Sequence, residues 1–67
     1  MNPDLDRATI IDACTIALLT EARRSVPVPT GALAAVLREL NPDWDMSTEQ
    51  IDALIREVAT NLWVQVN

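Results

Sequence analysis

The sequence predicts a mainly α fold: one three-helix domain with a minimal two-stranded β element that joins Val26–Val28 to Val64–Val66. Three observations lead there. Apolar side chains recur at helical spacing in three stretches, each opened by a residue suited to capping a helix. The 67 residues contain no Phe or Tyr and only two Trp, so the core has to be Leu, Ile, Val and Ala, which suits closely packed helices. Two short valine-rich stretches, one between helices and one at the end, alternate as strands do.

The first helix is expected from about Pro3 to Arg24. Asn2 can cap it, Pro3 fits the first helical position, and Asp4 and Asp6 suit the positive end of its dipole. Ile10, Ile11, Cys14, Ala17 and Leu18 make one apolar face. Leu5, Ile16 and Leu19 point roughly the other way, in a second stripe that Asp12 interrupts. A helix apolar on two sides is either central to its domain or shared with another chain.

Pro27 and Pro29 alternate, so they remove donors from one edge of an extended segment and leave Val26 and Val28 free to pair on the other. The second helix is expected over Gly31–Leu40, with Thr30 as cap and Leu33, Val36, Leu37 and Leu40 as the buried stripe. Asn41-Pro42-Asp43 ends it, because the residue before a proline disfavours helix. The third helix has the clearest start. Ser47-Thr48-Glu49-Gln50 is a capping box, and Met46 with Ile51 stands where a hydrophobic staple belongs. Ile51, Leu54, Ile55, Val58 and Leu62 form its inner stripe, and Asp52 can pair with Arg56 on the outside. Trp63 is expected to close the bottom of the core.

This order of helix, short strand, helix, turn, helix and strand resembles the winged helix-turn-helix architecture. Val26–Val28 takes the place of the first strand, Gly31–Leu40 and Thr48–Leu62 that of the helix-turn-helix pair, and Trp63–Val66 that of the strand entering the wing. The resemblance implies a DNA-binding regulator. The chain departs from it in having essentially no wing and a long turn from Asn41 to Met46. Its would-be recognition helix also opens with Glu49 and Asp52, where base readout relies on Arg, Lys, Asn or Gln.

Composition excludes much chemistry. There is no histidine, lysine or tyrosine and only one cysteine. No Cys/His metal site or internal disulfide is possible, and most proton-transfer groups are missing. The net charge of −5 repels nucleic acid and anionic membranes. No apolar run is long enough to span a bilayer, and the start lacks the basic residues of a signal peptide. A single thiol fits a reducing compartment, so a cytoplasmic location is expected.

Few residues remain as site candidates. Asn41, Asp43, Asp45, Ser47, Glu49 and Asp52 fall on the spacing of a calcium loop. However, Met46 replaces the glycine of the sharp turn and Asp52 the long bidentate Glu, so a polar turn and helix cap is the better reading. Cys14 lies on the apolar face with nothing basic beside it, which makes it an inert thiol. Arg23 and Arg24 read as a solvated helix end. Asp4 with Asp6, and Asp43 with Asp45, read as cap and turn residues, since carboxylate catalysis needs a pocket that separates two pKa values.

Trp44, between Asp43 and Asp45, is either an interface anchor or a lid over the second and third helices. The expected function is a non-enzymatic protein–protein interaction module without cofactor or metal. A domain this short is marginal alone, and a partner chain is the one staple still open to it. The expected partners are a second copy of the chain and a further protein, contacted through Leu5, Ile16, Leu19 and Trp44. Two alternatives are a helix-turn-helix DNA-binding regulator and an acidic mimic of nucleic acid built from Asp4, Asp6, Asp43, Asp45, Glu49 and Asp52.

Overall fold

A computed structural model describes residues 3–67, with side chains from Arg7 onward. Three helices, α1 (Pro3–Ala22), α2 (Thr30–Leu40) and α3 (Thr48–Leu62), enclose one core. α3 packs against both other helices, while α1 and α2 touch each other only slightly.

The start of α3 follows from local chemistry. Gln50 N–H donates to Ser47 Oγ at 3.1 Å, and Ser47 N–H donates to Gln50 Oε1 at 2.7 Å, closing the capping box. Ile51, Leu54, Ile55 and Ala59 are buried and Val58 is half-buried. Leu62 lies on the same stripe but is exposed, because the last turn of α3 runs past the end of the core. The inner face of α1 is the expected one: Cys14 and Leu18 are fully enclosed, and Ile10, Ile11 and Ala17 pack against the core from its margin. α1 stops at Ala22, two residues before Arg24.

α2 is turned about its axis relative to expectation. Thr30, Ala34 and Leu37 are buried, whereas Val36 and Leu40 face water. The small Ala34 faces inward, where it allows a close helix–helix approach. Thr30 is not a cap but the first residue of α2. The cap position belongs to Pro29, which has no side-chain donor or acceptor, and its carbonyl accepts from Leu33 N–H at 3.0 Å. Asn41 closes the other end, its Nδ2 donating to Leu37 O at 2.9 Å.

The expected two-stranded element is reduced to a single parallel bridge between Val28 and Val66, and the described residues form no strand. Val28 N–H donates to Gln65 O, and Asn67 N–H to Val28 O, both at 2.9 Å. The ladder cannot grow. On one side Thr30 already belongs to α2; on the other Val26 lies in a bend and is exposed. The bridge still sets the topology, since both C-terminal ends, of α1 and of α3, lead into it from one end of the molecule.

Trp63 overturns a second expectation. It does not close the core but stands 93% exposed, with φ 61° and ψ 34°. α3 ends in a Schellman turn, in which Val64 N–H donates to Ala59 O at 2.9 Å and Trp63 N–H to Thr60 O at 3.4 Å. The left-handed residue of that turn is usually glycine, and here it is a tryptophan directed into water. Val64 and Val66 pack against the core in its place.

Candidate functional site

The candidate site is the outward surface of α1. Helical spacing places Thr9, Asp12, Ile16, Leu19, Thr20 and Arg23 on one outward stripe of α1. All six are exposed. Ile16 is 66% and Leu19 44% exposed, in the middle of the longest helix. The second apolar stripe of α1 is therefore not absorbed by the chain's own core. Leu5, the third residue expected on it, lies outside the described side chains.

Trp44 belongs to a different feature. It is half-buried, packs against the core, and lines a shallow open hollow of about 280 Å³ with Arg38, Asp45, Met46, Ser47 and Gln50. It lies beside the α2–α3 turn, and the lining of its hollow does not include Ile16 or Leu19. Trp63 is the exposed aromatic that sequence reasoning missed. The available signal was local: residue 63 follows the last apolar turn of α3 directly, in the place where a helix-ending residue goes left-handed.

One polar network crosses the domain. Arg56 Nε donates to Asp52 Oδ2 at 3.1 Å, the expected pair one turn apart. Arg56 Nη2 donates to Asn67 O and so fastens the terminal segment onto α3. The other oxygen of Asp52 is enclosed, as is the hydroxyl of Thr30, and neither closes a hydrogen bond of standard geometry. Even so, the Thr30 hydroxyl is the largest influence holding the Asp52 carboxyl below its ordinary value, with Arg56 adding to it and burial opposing both. The observed bonds of the network thus tie α3 to Asn67.

The sign of its pH dependence follows. A carboxyl depressed in the folded state stabilises fully above its unfolded value of 3.8, and that stability is lost as pH falls through the lower folded value. We expect Asp52→Asn to flatten the fall in thermal midpoint between about pH 5 and pH 2 relative to the parent chain. Circular-dichroism melts across that range check it, and parallel curves for the two chains would contradict it.

Two oxygens of the calcium-like frame are engaged elsewhere: Ser47 Oγ caps α3 and Asp52 Oδ2 holds Arg56. Among the described residues no group of three or more His, Cys, Asp or Glu could hold a metal ion. Cys14 is buried, and burial pushes its thiol pKa up, away from nucleophilic use. No helix is long and apolar enough to cross a membrane among the described residues. Comparison with protein-family models, curated proteins and solved structures gave no match.

Proposed function

We propose that this chain is a non-enzymatic protein–protein interaction module, a small acidic adaptor or regulator that forms a homodimer through the outer face of α1. One observation carries the reading: Ile16 and Leu19 stand exposed, adjacent in space, on a helix whose other face already fills the core. Complete burial of such a side chain is worth about 1.5–3 kcal/mol, so a domain of marginal size gains substantially from covering both.

Trp63 supports the same class of function. Its left-handed backbone is unfavourable for a residue with a side chain, and its indole stands exposed. An exposed indole is a frequent anchor in protein interfaces. Trp63 and Trp44 are the contacts we assign to a further partner protein. A buried, unpaired thiol in so small a domain agrees with a cytoplasmic setting.

The helix order fits a winged-helix-like DNA-binding regulator as well, but two side chains of α3 that would serve it are engaged. Gln50, the one base-reading residue at the start of α3, is held in the capping box, and Arg56 is held by Asp52 and Asn67. The acidic-mimic reading loses Asp52 in the same way, because that carboxylate is paired with Arg56.

Ile16→Asp combined with Leu19→Asp tests the proposal by light scattering coupled to size exclusion. The parent is expected to elute as a dimer and the variant as a monomer with unchanged helicity. Equal masses for the two chains would refute the α1 face as the interface.

A further inference from the structure

The outward stripe of α1 carries charge as well as apolar surface, and the pattern is symmetric. Asp12 lies four residues before Ile16, and Arg23 lies four residues after Leu19. Each charge therefore stands about one helical turn outside the apolar pair, acid at one end and base at the other. Arg23 follows the last residue of α1, Ala22, but keeps the helix's course, since its N–H donates to Leu19 O at 3.3 Å. Both side chains are exposed, and neither has an ion-pair partner among the described residues, where the one salt bridge joins Arg56 to Asp52.

We propose that two copies of this chain pair α1 against α1 in antiparallel fashion about a two-fold axis level with the midpoint of Ala17 and Leu18. In that register Ile16 meets the partner's Leu19, and Asp12 meets the partner's Arg23, each contact occurring twice. The inference rests on the self-association reading and adds to it the direction, the register and the residues that select them.

Charge complementarity chooses the occupant. A stripe with acid, apolar pair and base at equal spacing is complementary to itself only when reversed, which is the condition for a closed two-fold interface. A parallel copy would set Asp12 against Asp12 and Arg23 against Arg23, so the same residues that favour the antiparallel pair oppose the parallel one. Self-complementarity matters in this chain because its net charge of −5 otherwise drives copies apart. The contact is one helix on one helix, at the small end of specific interfaces, so micromolar rather than nanomolar dissociation is expected.

The test is a charge swap followed by sedimentation equilibrium of the full chain. D12R alone and R23D alone each turn two attractive pairs into two repulsive ones, and each should raise the dimer dissociation constant about tenfold. The double variant D12R/R23D restores both pairs in reversed polarity and should return to within about threefold of the parent. R24D changes net charge as R23D does, at a position off the stripe, and should leave the constant within about twofold. Circular dichroism of each variant confirms that the helices persist.

If the single reversals weaken the dimer and the double variant fails to recover, the antiparallel register is wrong. If no reversal matters while Ile16→Asp with Leu19→Asp still dissociates the dimer, this inference falls and the proposed function stands. A parent chain that is monomeric throughout removes both.

Discussion

Ile55→Ala is expected to lower the unfolding free energy by roughly 2–5 kcal/mol, the range for truncating an enclosed isoleucine. Ile55 is fully buried on α3, the one helix that packs against both others, so no neighbour can easily collapse into the space it leaves. A domain of this length has a total stability of roughly 3–10 kcal/mol, and the substitution removes a large part of it. The thermal midpoint should fall by about 10–30 °C. Leu40→Ala is the matched control: Leu40 is 71% exposed, and the change should stay within about 0.5 kcal/mol. Circular-dichroism melts of the two variants decide the matter. Equal losses would mean that the core does not lie where α3 places it.

Trp63→Gly should stabilise the fold, an unusual direction for the removal of the largest side chain in the protein. A non-glycine residue in the left-handed region costs about 1–2 kcal/mol, and glycine avoids that cost. Glycine loses more backbone entropy on folding, which takes back part of the gain, so a net of roughly 0.5–1 kcal/mol is expected. The thermal midpoint should rise by about 2–8 °C. Trp63→Ala removes the indole and keeps the backbone conformation, so its midpoint should stay near that of the parent. A clear loss of stability in both variants would show that the indole packs against the domain, contrary to its 93% exposure.

These two residues also mark where sequence reasoning succeeds and where it stops. The capping box, the Asp52–Arg56 pair and the inner faces of α1 and α3 were legible because each depends on residues within two turns of one another. Ile55 could be placed in the core from spacing alone. The rotation of α2 was not legible: Val36 and Leu40 are as apolar as Leu33 and Leu37. Only the fit of Ala34 and Thr30 into the rest of the domain decides which of them reach water.

Trp63 failed for a related reason. Its size argues for burial, but the turn that ends α3 fixes its backbone first, and the side chain follows the backbone outward. The alternation of the terminal valines suggests a strand, but only Val66 bridges Val28: a ladder needs partners on both sides of Val28, and α2 begins too soon to supply them. Within the candidate site, Ile16 and Leu19 were identified by periodicity. The matching positions of Asp12 and Arg23 gained meaning only once the stripe was known to be bare.

The most direct measurement is sedimentation equilibrium of the unmodified chain over a micromolar concentration series. The proposed covering of the exposed α1 face by a second copy predicts a reversible shift toward twice the 7.4 kDa chain mass, with a dissociation constant in the micromolar range. A single 7.4 kDa species across the whole series would contradict it.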